Sequence, residues 1–347
     1  MRMLLRPEFL NGPFGDPALY IWEMNAKGAM LFDCGDLSRF SIKQLLKIDW
    51  IFLSHCHIDH FFGFDLFLRV HVGVPKTVTI FGPLETSQRV GGKLQGYTWN
   101  LIYDQDLEFI VVELDPVRGK KFFTHFHAKD RFHPSSQREE NWDSKTPVLD
   151  TSTYHVDTAM LDHRTPSLAY CVEEKLTVSV DAAKLKAHHW KPGPWINELK
   201  KWYLLKGSMT QVLEVLKEDG TKEKQDACTL AKEILQPKQR HKIAYATDGA
   251  ASEKNRAALI PLVQDSDMFF CETCFLEQDR MQADETKHFT AKFIAELSAA
   301  THIKKLIPFH FSKRYVENSQ QVWDEISQNF KGEILKLERN ISSTDSE

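Results

Sequence analysis

Four candidate metal ligands fall within six residues of this sequence, in the segment Ser54-His55-Cys56-His57-Ile58-Asp59-His60. An apolar run at 48–54 predicts a buried strand that leads into it. Alternate residues of an extended backbone point the same way, so His55 and His57 can bind one ion together. If a helix follows, Asp59 and His60 face a second position. Burying these groups without cations is unfavourable. A metal site is therefore favoured over a solvated loop or core histidines.

The order of apolar runs predicts the fold class. Strands are expected at 18–22, 29–32, 48–54, 77–81, 108–114, 153–161 and 168–173. Later strands at 241–247, 267–272 and 304–310 alternate with helices at 252–263, 289–300 and 319–330. Strands first, followed by strand–helix alternation, predict an α+β chain. In it two packed mixed sheets are flanked by helices, an αββα sandwich.

One segment interrupts this order. Residues 175–238 contain Pro192-Gly193-Pro194 and the highly charged stretch 217–224, so we expect an insertion or protruding arm. We expect residues 1–340 to form a single domain that carries this arm, and the polar tail 341–347 to be disordered.

Composition excludes several classes of protein. With 44 Lys+Arg against 48 Asp+Glu, the formal net charge of −4 does not suit a protein that coats nucleic acid by bulk charge. The sequence contains no apolar run of about 18 residues, so we expect no membrane span. The N-terminus lacks the apolar core of a signal peptide. Six cysteines in 347 residues suit a reducing compartment, which predicts a cytoplasmic protein.

The motif His55-x-His57-x-Asp59-His60, preceded by residues 31–36, resembles the metallo-β-lactamase fold. Further segments resemble its ribonuclease Z branch, the tRNA 3′-processing endonucleases. Those segments are Leu161-Asp162-His163, 169–174, Lys191-Pro192-Gly193-Pro194-Trp195, Tyr245-Ala246-Thr247-Asp248, Cys271-Glu272-Thr273-Cys274-Phe275, Lys287-His288-Phe289 and His310-Phe311-Ser312-Lys313-Arg314-Tyr315. The likeness runs in order from about residue 31 to 315.

The resemblance implies two divalent cations. Its ligand set, carried over to this sequence, is His55, His57 and His163 for one ion, Asp59, His60 and His310 for the other, and Asp248 bridging both. Nitrogen and carboxylate ligands favour zinc, although manganese or iron fits the same set. Asp33, at a strand end, is expected to support a ligand histidine, or else to be a solvated turn residue.

The resemblance also implies an activity. A metal-bound hydroxide would attack a phosphodiester, most simply at the 3′ end of precursor tRNA, with Asp59 as the base that orients it. His288, positioned by Glu272, would stabilise or protonate the leaving oxygen. The alternative for His288 is a surface residue at the start of a helix.

The arm carries the candidate substrate-binding residues. Lys184, Lys186 and Lys191 lie in a lysine-rich stretch that also contains Trp195. Lysines for phosphates and rings for stacking suit RNA. The alternative is an amphipathic helix whose tryptophan face packs on the body.

The loop at 9–17 lacks the Arg-Asn pair usual in the family, so two other functions stay open. One is a hydrolase of small phosphodiesters or other esters, and the other is a binding protein with a vestigial site. The resemblance also suggests a homodimer.

Other potential ligands need a separate interpretation. Cys271 and Cys274 form a C-x-x-C pair, which suggests redox chemistry or zinc. No second pair follows at a suitable spacing, so we favour buried packing beside Glu272. His125 and His127 also have ligand spacing but lack a neighbouring Asp-His pair.

Overall fold

The computed structural model describes residues 4–24, 27–208, 210–238 and 240–337. The chain forms two compact units. The smaller unit spans Glu174–Arg240, close to the bounds expected for the arm, and the larger comprises Leu4–Glu173 and the chain from His241 onward. The tail expected at 341–347 lies outside the described residues.

One sheet of the larger unit comes from the first part of the chain. Its strands lie side by side in sequence order: β1 (Leu5–Phe9), β2 (Leu19–Glu23), β3 (Ala29–Phe32), β4 (Ile48–Phe52), β5 (Lys76–Pro83), β6 (Leu107–Asp115), β7 (Lys120–His127) and β8 (Pro134–Asn141). Strands β3 to β6 are parallel and their other neighbours are antiparallel. The helices between the parallel strands are α1 (Ile42–Lys47), α2 (Ile58–Phe61), α3 (Phe64–His71) and α4 (Thr86–Gln95).

The other sheet contains β9 (Leu149–Asp150), β10 (Tyr154–Asp162), β11 (Pro166–Glu174), β16 (Lys242–Ala246), β17 (Met268–Glu272), β18 (Lys305–Phe309) and β19 (Glu333–Ile334). Its lateral order is β19-β18-β17-β16-β11-β10-β9, and β16 to β19 run parallel. Its helices are α8 (Glu253–Val263), α9 (Arg280–Thr286), α10 (Ala291–Ala300) and α11 (Gln320–Asn329). Short 3₁₀ turns lie at Ala128–Asp130, Glu277–Asp279 and Lys313–Tyr315.

The two sheets pack face to face through aromatic side chains. Phe32 and Phe52 of the first sheet contact Tyr170 of the second, with ring centroids 5.8 and 5.3 Å apart. Tyr170 also donates a hydrogen bond to the Leu53 carbonyl at 2.7 Å, which satisfies its buried hydroxyl. Apolar clusters bury the helices on the outer faces. The predicted αββα sandwich is confirmed.

The smaller unit has its own core. It contains β12 (Val178–Val180) paired with β15 (Leu235–Pro237), the hairpin β13 (Val212–Leu216) and β14 (Lys222–Asp226), and the helices α5 (Ala182–Ala187), α6 (Pro194–Leu204) and α7 (Ala227–Ile234). Trp190, Trp195, Leu199 and Leu230 are buried together inside it. Among the described residues of both units, no helix combines the length and the apolar character needed to span a bilayer.

Sequence patterns gave no expectation for α4, β7 or β8. Strand β8 lies at the edge of its sheet and is polar and exposed along its length. It therefore lacks the alternation of apolar and polar residues by which a half-buried strand is predicted. Helix α4 contains Gly91, which is unfavourable in a helix. A Cβ at Gly91 would lie 3.2 Å from the Phe126 ring, so the close approach of α4 to β7 favours glycine at this position.

Buried His71, at the end of α3, predicts a pH-dependent stability. Burial lowers its pKa to about 4, against about 6.5 in an unfolded chain. Between these values the unfolded chain binds a proton that the folded chain does not, so stability falls as the pH falls. We expect this group to remove about 2 kcal/mol from the free energy of unfolding between pH 7 and pH 5.

Urea unfolding of the wild type and of His71→Phe at both pH values measures this contribution as a difference. The variant should lose less stability on acidification, whereas His302→Ala, at an exposed histidine, should follow the wild type. Equal losses in the wild type and His71→Phe would contradict the assignment.

Candidate metal centre

The candidate ligands converge because strand ends meet at one edge of each sheet. His55 follows β4, Asp248 follows β16, and His310 follows β18 directly. His163 lies in the turn between β10 and β11. Since the carboxyl ends of parallel strands lie at the same edge, residues far apart in sequence come together there.

The structure brings all seven predicted ligands into two groups. Within each group the possible ligand atoms lie no more than 4.8 Å from one another. The groups are His55, His57, His163 and Asp248, and Asp59, His60 and His310. Asp59 Oδ2 accepts a hydrogen bond from His310 Nε2 at 3.1 Å and lies 3.4 Å from His60 Nε2.

Asp248 faces both groups with different oxygens. Its Oδ2 lies 3.4 Å from His163 Nε2 and 3.8 Å from His55 Nε2. Its Oδ1 lies 3.3 Å from His60 Nε2 and 3.5 Å from His310 Nδ1. This is the arrangement that a carboxylate bridging two cations requires.

Asp33 holds a ligand histidine in place from the protein interior. It is fully buried, and its Oδ2 accepts hydrogen bonds from His60 Nδ1 at 2.9 Å and from Tyr245 Oη at 2.7 Å. Its Oδ1 accepts a bond from the Ser54 backbone N–H at 2.7 Å. These bonds fix the His60 ring so that its Nε2 faces the ligand groups. The alternative of a solvated turn residue is excluded by the burial of Asp33.

Two further positioning contacts were not expected from the sequence. Ser54 Oγ lies 3.0 Å from His55 Nδ1, and the Lys287 carbonyl lies 2.8 Å from His163 Nδ1. Ser54 directly precedes the histidine motif and could have been suspected from that position. The Lys287 contact could not, because it joins residues that are distant in sequence.

Four residues at the site have a left-handed backbone. Their φ angles are 57° at Asp33, 35° at Asp248, 63° at Lys287 and 59° at His310. Non-glycine residues rarely adopt positive φ, and such strain concentrates at functional sites. At Asp33, Asp248 and His310 it turns the chain sharply just after a strand, whereas the left-handed Lys287 ends helix α9.

The pKa shifts of the ligand histidines reflect an excess of buried carboxylate charge at the site. Burial alone would lower the pKa of His310, yet Asp248 and Asp59 raise it to about 10. Asp248 and Asp33 likewise hold the pKa of His60 far above its usual value against the effect of burial. His55 behaves oppositely, because burial and the neighbouring His60 lower its pKa. Without cations, the negative charge of these carboxylates favours the protonated form of His60 and His310, and bound cations would balance that charge instead.

Buried histidine nitrogen atoms without a hydrogen-bond partner in the described part of the chain indicate whether cations fit this site. His55 Nε2, His60 Nε2 and His310 Nδ1 are buried and have no hydrogen-bond partner among the described residues. An unpaired buried polar atom is costly, and a divalent cation would satisfy each of these lone pairs. The residues present therefore fit a pair of divalent cations, with nitrogen and oxygen donors that suit zinc.

Glu272 and His288 form a pair beside the ligands. Glu272 is fully buried and hydrogen-bonds to His288 Nδ1, while its Oε2 accepts a bond from the Gly249 N–H at 3.2 Å. Burial lowers the pKa of His288, but the Glu272 carboxylate outweighs this and raises it. The second nitrogen of a His288 imidazolium is then free to donate a proton.

The four arm residues differ in accessibility. Lys184, Lys186 and Lys191 are exposed, and Lys184 lies 3.9 Å from Glu233. Trp195 is only 4% exposed, and its Nε1 donates to the Lys191 carbonyl at 3.1 Å. The expectation that Trp195 stacks on a base is therefore wrong, because its ring is part of the core of the smaller unit.

The competing histidines lie elsewhere. His125 Nδ1 lies 2.8 Å from Glu108 Oε1, and His127 Nδ1 accepts a hydrogen bond from the Lys129 N–H. Neither belongs to a group of potential metal ligands within the described part of the chain. As alternate residues of β7 they lie on the same face of the strand, but no further group of ligands among the described residues converges on them.

Comparisons with known proteins agree with this geometry. Residues 12–128 match the family model of the metallo-beta-lactamase superfamily. The sequence is 28% identical over 320 residues to Ribonuclease Z of Deinococcus radiodurans, covering 90% of this chain and 92% of that protein.

Solved structures give the same fold at lower identity. The metallo-beta-lactamase fold protein YhfI of Bacillus subtilis matches with a TM-score of 0.53 at 14% identity, over 94% of this chain and 95% of that one. The short form of human tRNase Z matches with a TM-score of 0.50 at 15% identity, over 89% and 93%. At such identities the likeness shows the fold alone.

Proposed function

We propose that this chain, which has the metallo-beta-lactamase fold and resembles Ribonuclease Z along most of its length, is a two-metal phosphodiesterase that processes the 3′ end of precursor tRNA. The observation that carries the proposal is Asp248, whose two oxygens face two separate groups of potential ligands. A single structural cation would need only one such group.

The proposed ligands follow from the two groups. His55, His57 and His163 would hold one cation, Asp59, His60 and His310 the other, and Asp248 both. When bound, two divalent cations, most simply Zn²⁺ with Mn²⁺ or iron as alternatives, lower the pKa of water and stabilise the attacking and leaving oxygens together.

The catalytic roles in the proposal belong to three side chains. Asp59 is partly exposed, with 35% of its side chain accessible, so it can orient the attacking water and accept its proton. His288 would donate a proton to the leaving oxygen. Glu272 would hold the His288 ring in place and favour its charged form.

Substrate recognition is assigned to the exposed lysines of the smaller unit. Lys184, Lys186 and Lys191 offer positive charge for the phosphates of RNA. Trp195 contributes by shaping this surface rather than by stacking. The resemblance to ribonuclease Z further supports a homodimer, and the free cysteines of the described residues support a cytoplasmic location.

The deciding experiment incubates the metal-loaded protein with precursor tRNA and, separately, with bis(p-nitrophenyl) phosphate. We expect cleavage of the RNA at the 3′ end of the tRNA body. Reversal of Lys184, Lys186 and Lys191 to Glu should lower RNA cleavage by at least about tenfold and reduce its salt dependence, because phosphate contacts are lost. Hydrolysis of the small diester should change little.

A matched control reverses Lys43, Lys145 and Lys254, which makes the same change of charge at exposed lysines of the larger unit. Equal losses in both triple variants would contradict the assigned surface. Diester hydrolysis without RNA cleavage would instead favour the alternative, a hydrolase of small phosphodiesters.

A further inference from the structure

A third group of potential metal ligands contains sulfur. Glu272, Cys274, His288 and His310 place their ligand atoms within 4.8 Å of one another. Only His310 is shared with the two groups described above. Cys274 is 7% exposed and free of any disulfide.

The C-x-x-C pair does not act as a unit. Cys271 is buried in the apolar cluster beneath the outer helices, whereas Cys274 packs with Phe275 and Ala283. Cys274 therefore faces Glu272 and His288 without competition from Cys271. Simple space-filling explains its burial, but it does not explain why a thiol lies among three other ligand groups.

We propose that Cys274, Glu272 and His288 form an additional subsite for a soft divalent cation such as Zn²⁺ in excess or Cd²⁺. Thiolate, imidazole and carboxylate are all zinc ligands, and sulfur selects soft cations over Mg²⁺ or Mn²⁺. On binding, the Cys274 thiol releases its proton to solvent as the sulfur–cation bond forms.

The dimensions allow such a site. Donor atoms around a tetrahedral zinc ion with bonds of about 2.0–2.3 Å lie about 3.5 Å apart. The four atoms here lie within 4.8 Å, so side-chain movements of about 1 Å close the site. If His310 stays with the second catalytic cation, three protein ligands and an open position remain.

Occupation of this subsite has a consequence that rests on the proposed function. A cation bound by His288 and Glu272 would remove the proton donor assigned to the leaving oxygen. Excess Zn²⁺ should therefore inhibit the cleavage of precursor tRNA by about 10²- to 10⁴-fold at saturation, as loss of the general acid would. The protein would be active with two cations and inhibited by a further one.

Cadmium absorption tests the subsite independently of activity. The two catalytic groups contain no sulfur, so only a cysteine can give the ultraviolet thiolate-to-Cd²⁺ charge-transfer absorption. Adding Cd²⁺ to the Zn²⁺-loaded protein should produce this absorption in the wild type and not in Cys274→Ser. Cys56→Ser is the matched control, because Cys56 lies between two ligands but its Sγ faces Thr86 Oγ1.

The outcomes separate cleanly. No absorption in the wild type, its persistence in Cys274→Ser, or its loss in Cys56→Ser would each overturn the proposal. If Cys274→Ser does not fold, Cys274→Thr removes the sulfur at similar volume. If the protein cuts neither RNA nor diester, the proposed function fails while the absorption still decides the subsite.

Inhibition gives a second readout in the active enzyme. Each rate is normalised to that variant's own rate without excess metal. The Zn²⁺ concentration that halves the rate should rise about 10- to 100-fold in Cys274→Ser, the scale on which metal sites weaken when a supporting group is lost. An unchanged inhibition curve would contradict the link between the subsite and His288.

Discussion

Asp248→Asn should lower phosphodiester hydrolysis by about a thousandfold or more, because one carboxylate serves both proposed cations. Asparagine has a similar size and tolerates positive φ, so the backbone at this position can stay as it is. The amide removes the negative charge and one oxygen. Metal analysis of the purified variant should show fewer than two cations per chain.

Asp65→Asn is the control for this experiment. Asp65 lies on α3, pairs with Lys93 at 2.6 Å and belongs to none of the ligand groups. It should retain both activity and metal content. An Asp248→Asn protein that keeps two cations and most of its activity would refute the bridging role.

His288→Ala should reduce the turnover of precursor tRNA by about 10²- to 10⁴-fold, the usual contribution of a general acid. The leaving oxygen of RNA is a poor leaving group that needs a proton. The p-nitrophenolate ion leaves without one, so bis(p-nitrophenyl) phosphate should lose far less. Both cations should remain bound, because His288 is outside the two ligand groups described for them.

Comparison of kcat on the two substrates is the measurement that checks this role. Glu272→Gln should give a smaller loss of the same kind, because the ring stays but its charged form is less favoured. His302→Ala tests the effect of removing a different histidine–carboxylate pair, since exposed His302 lies 3.2 Å from Asp265. Equal losses on both substrates would indicate a structural role for His288 instead.

Local spacing identified the four ligands of the segment 55–60, whereas His163, Asp248 and His310 were expected only from the resemblance to ribonuclease Z. His55 and His57 are alternate residues after an apolar strand, and Asp59 and His60 follow at the start of α2. The αββα fold followed from the order of strands and helices. The bounds of α10 were predicted less well, since the helix begins at Ala291 after the Thr290 cap rather than at Phe289.

The arm shows where local patterns are insufficient. A sequence of lysines interspersed with aromatic residues is the same whether the rings are exposed for stacking on bases or buried in a core. Trp195 and Trp190 face the core of the smaller unit, and only the packing of α6 against α7 decides that. Composition predicted the exposed charge correctly but could not assign the rings.

The sequence by itself determined that a metal-binding segment at 55–60 follows a buried strand, because ligand type and periodicity are properties of the chain, and the resemblance to ribonuclease Z supplied the distant ligands. Only the tertiary structure decided which of these side chains lie together in each ligand group. Register between the parallel strands β16, β17 and β18 sets Asp248 between two groups and brings the His310 ring within 3.8 Å of the Glu272 carboxylate. These residues are far apart in sequence, so their spacing along the chain does not indicate how close they lie in space. Only the pairing of the strands fixes the distances between them.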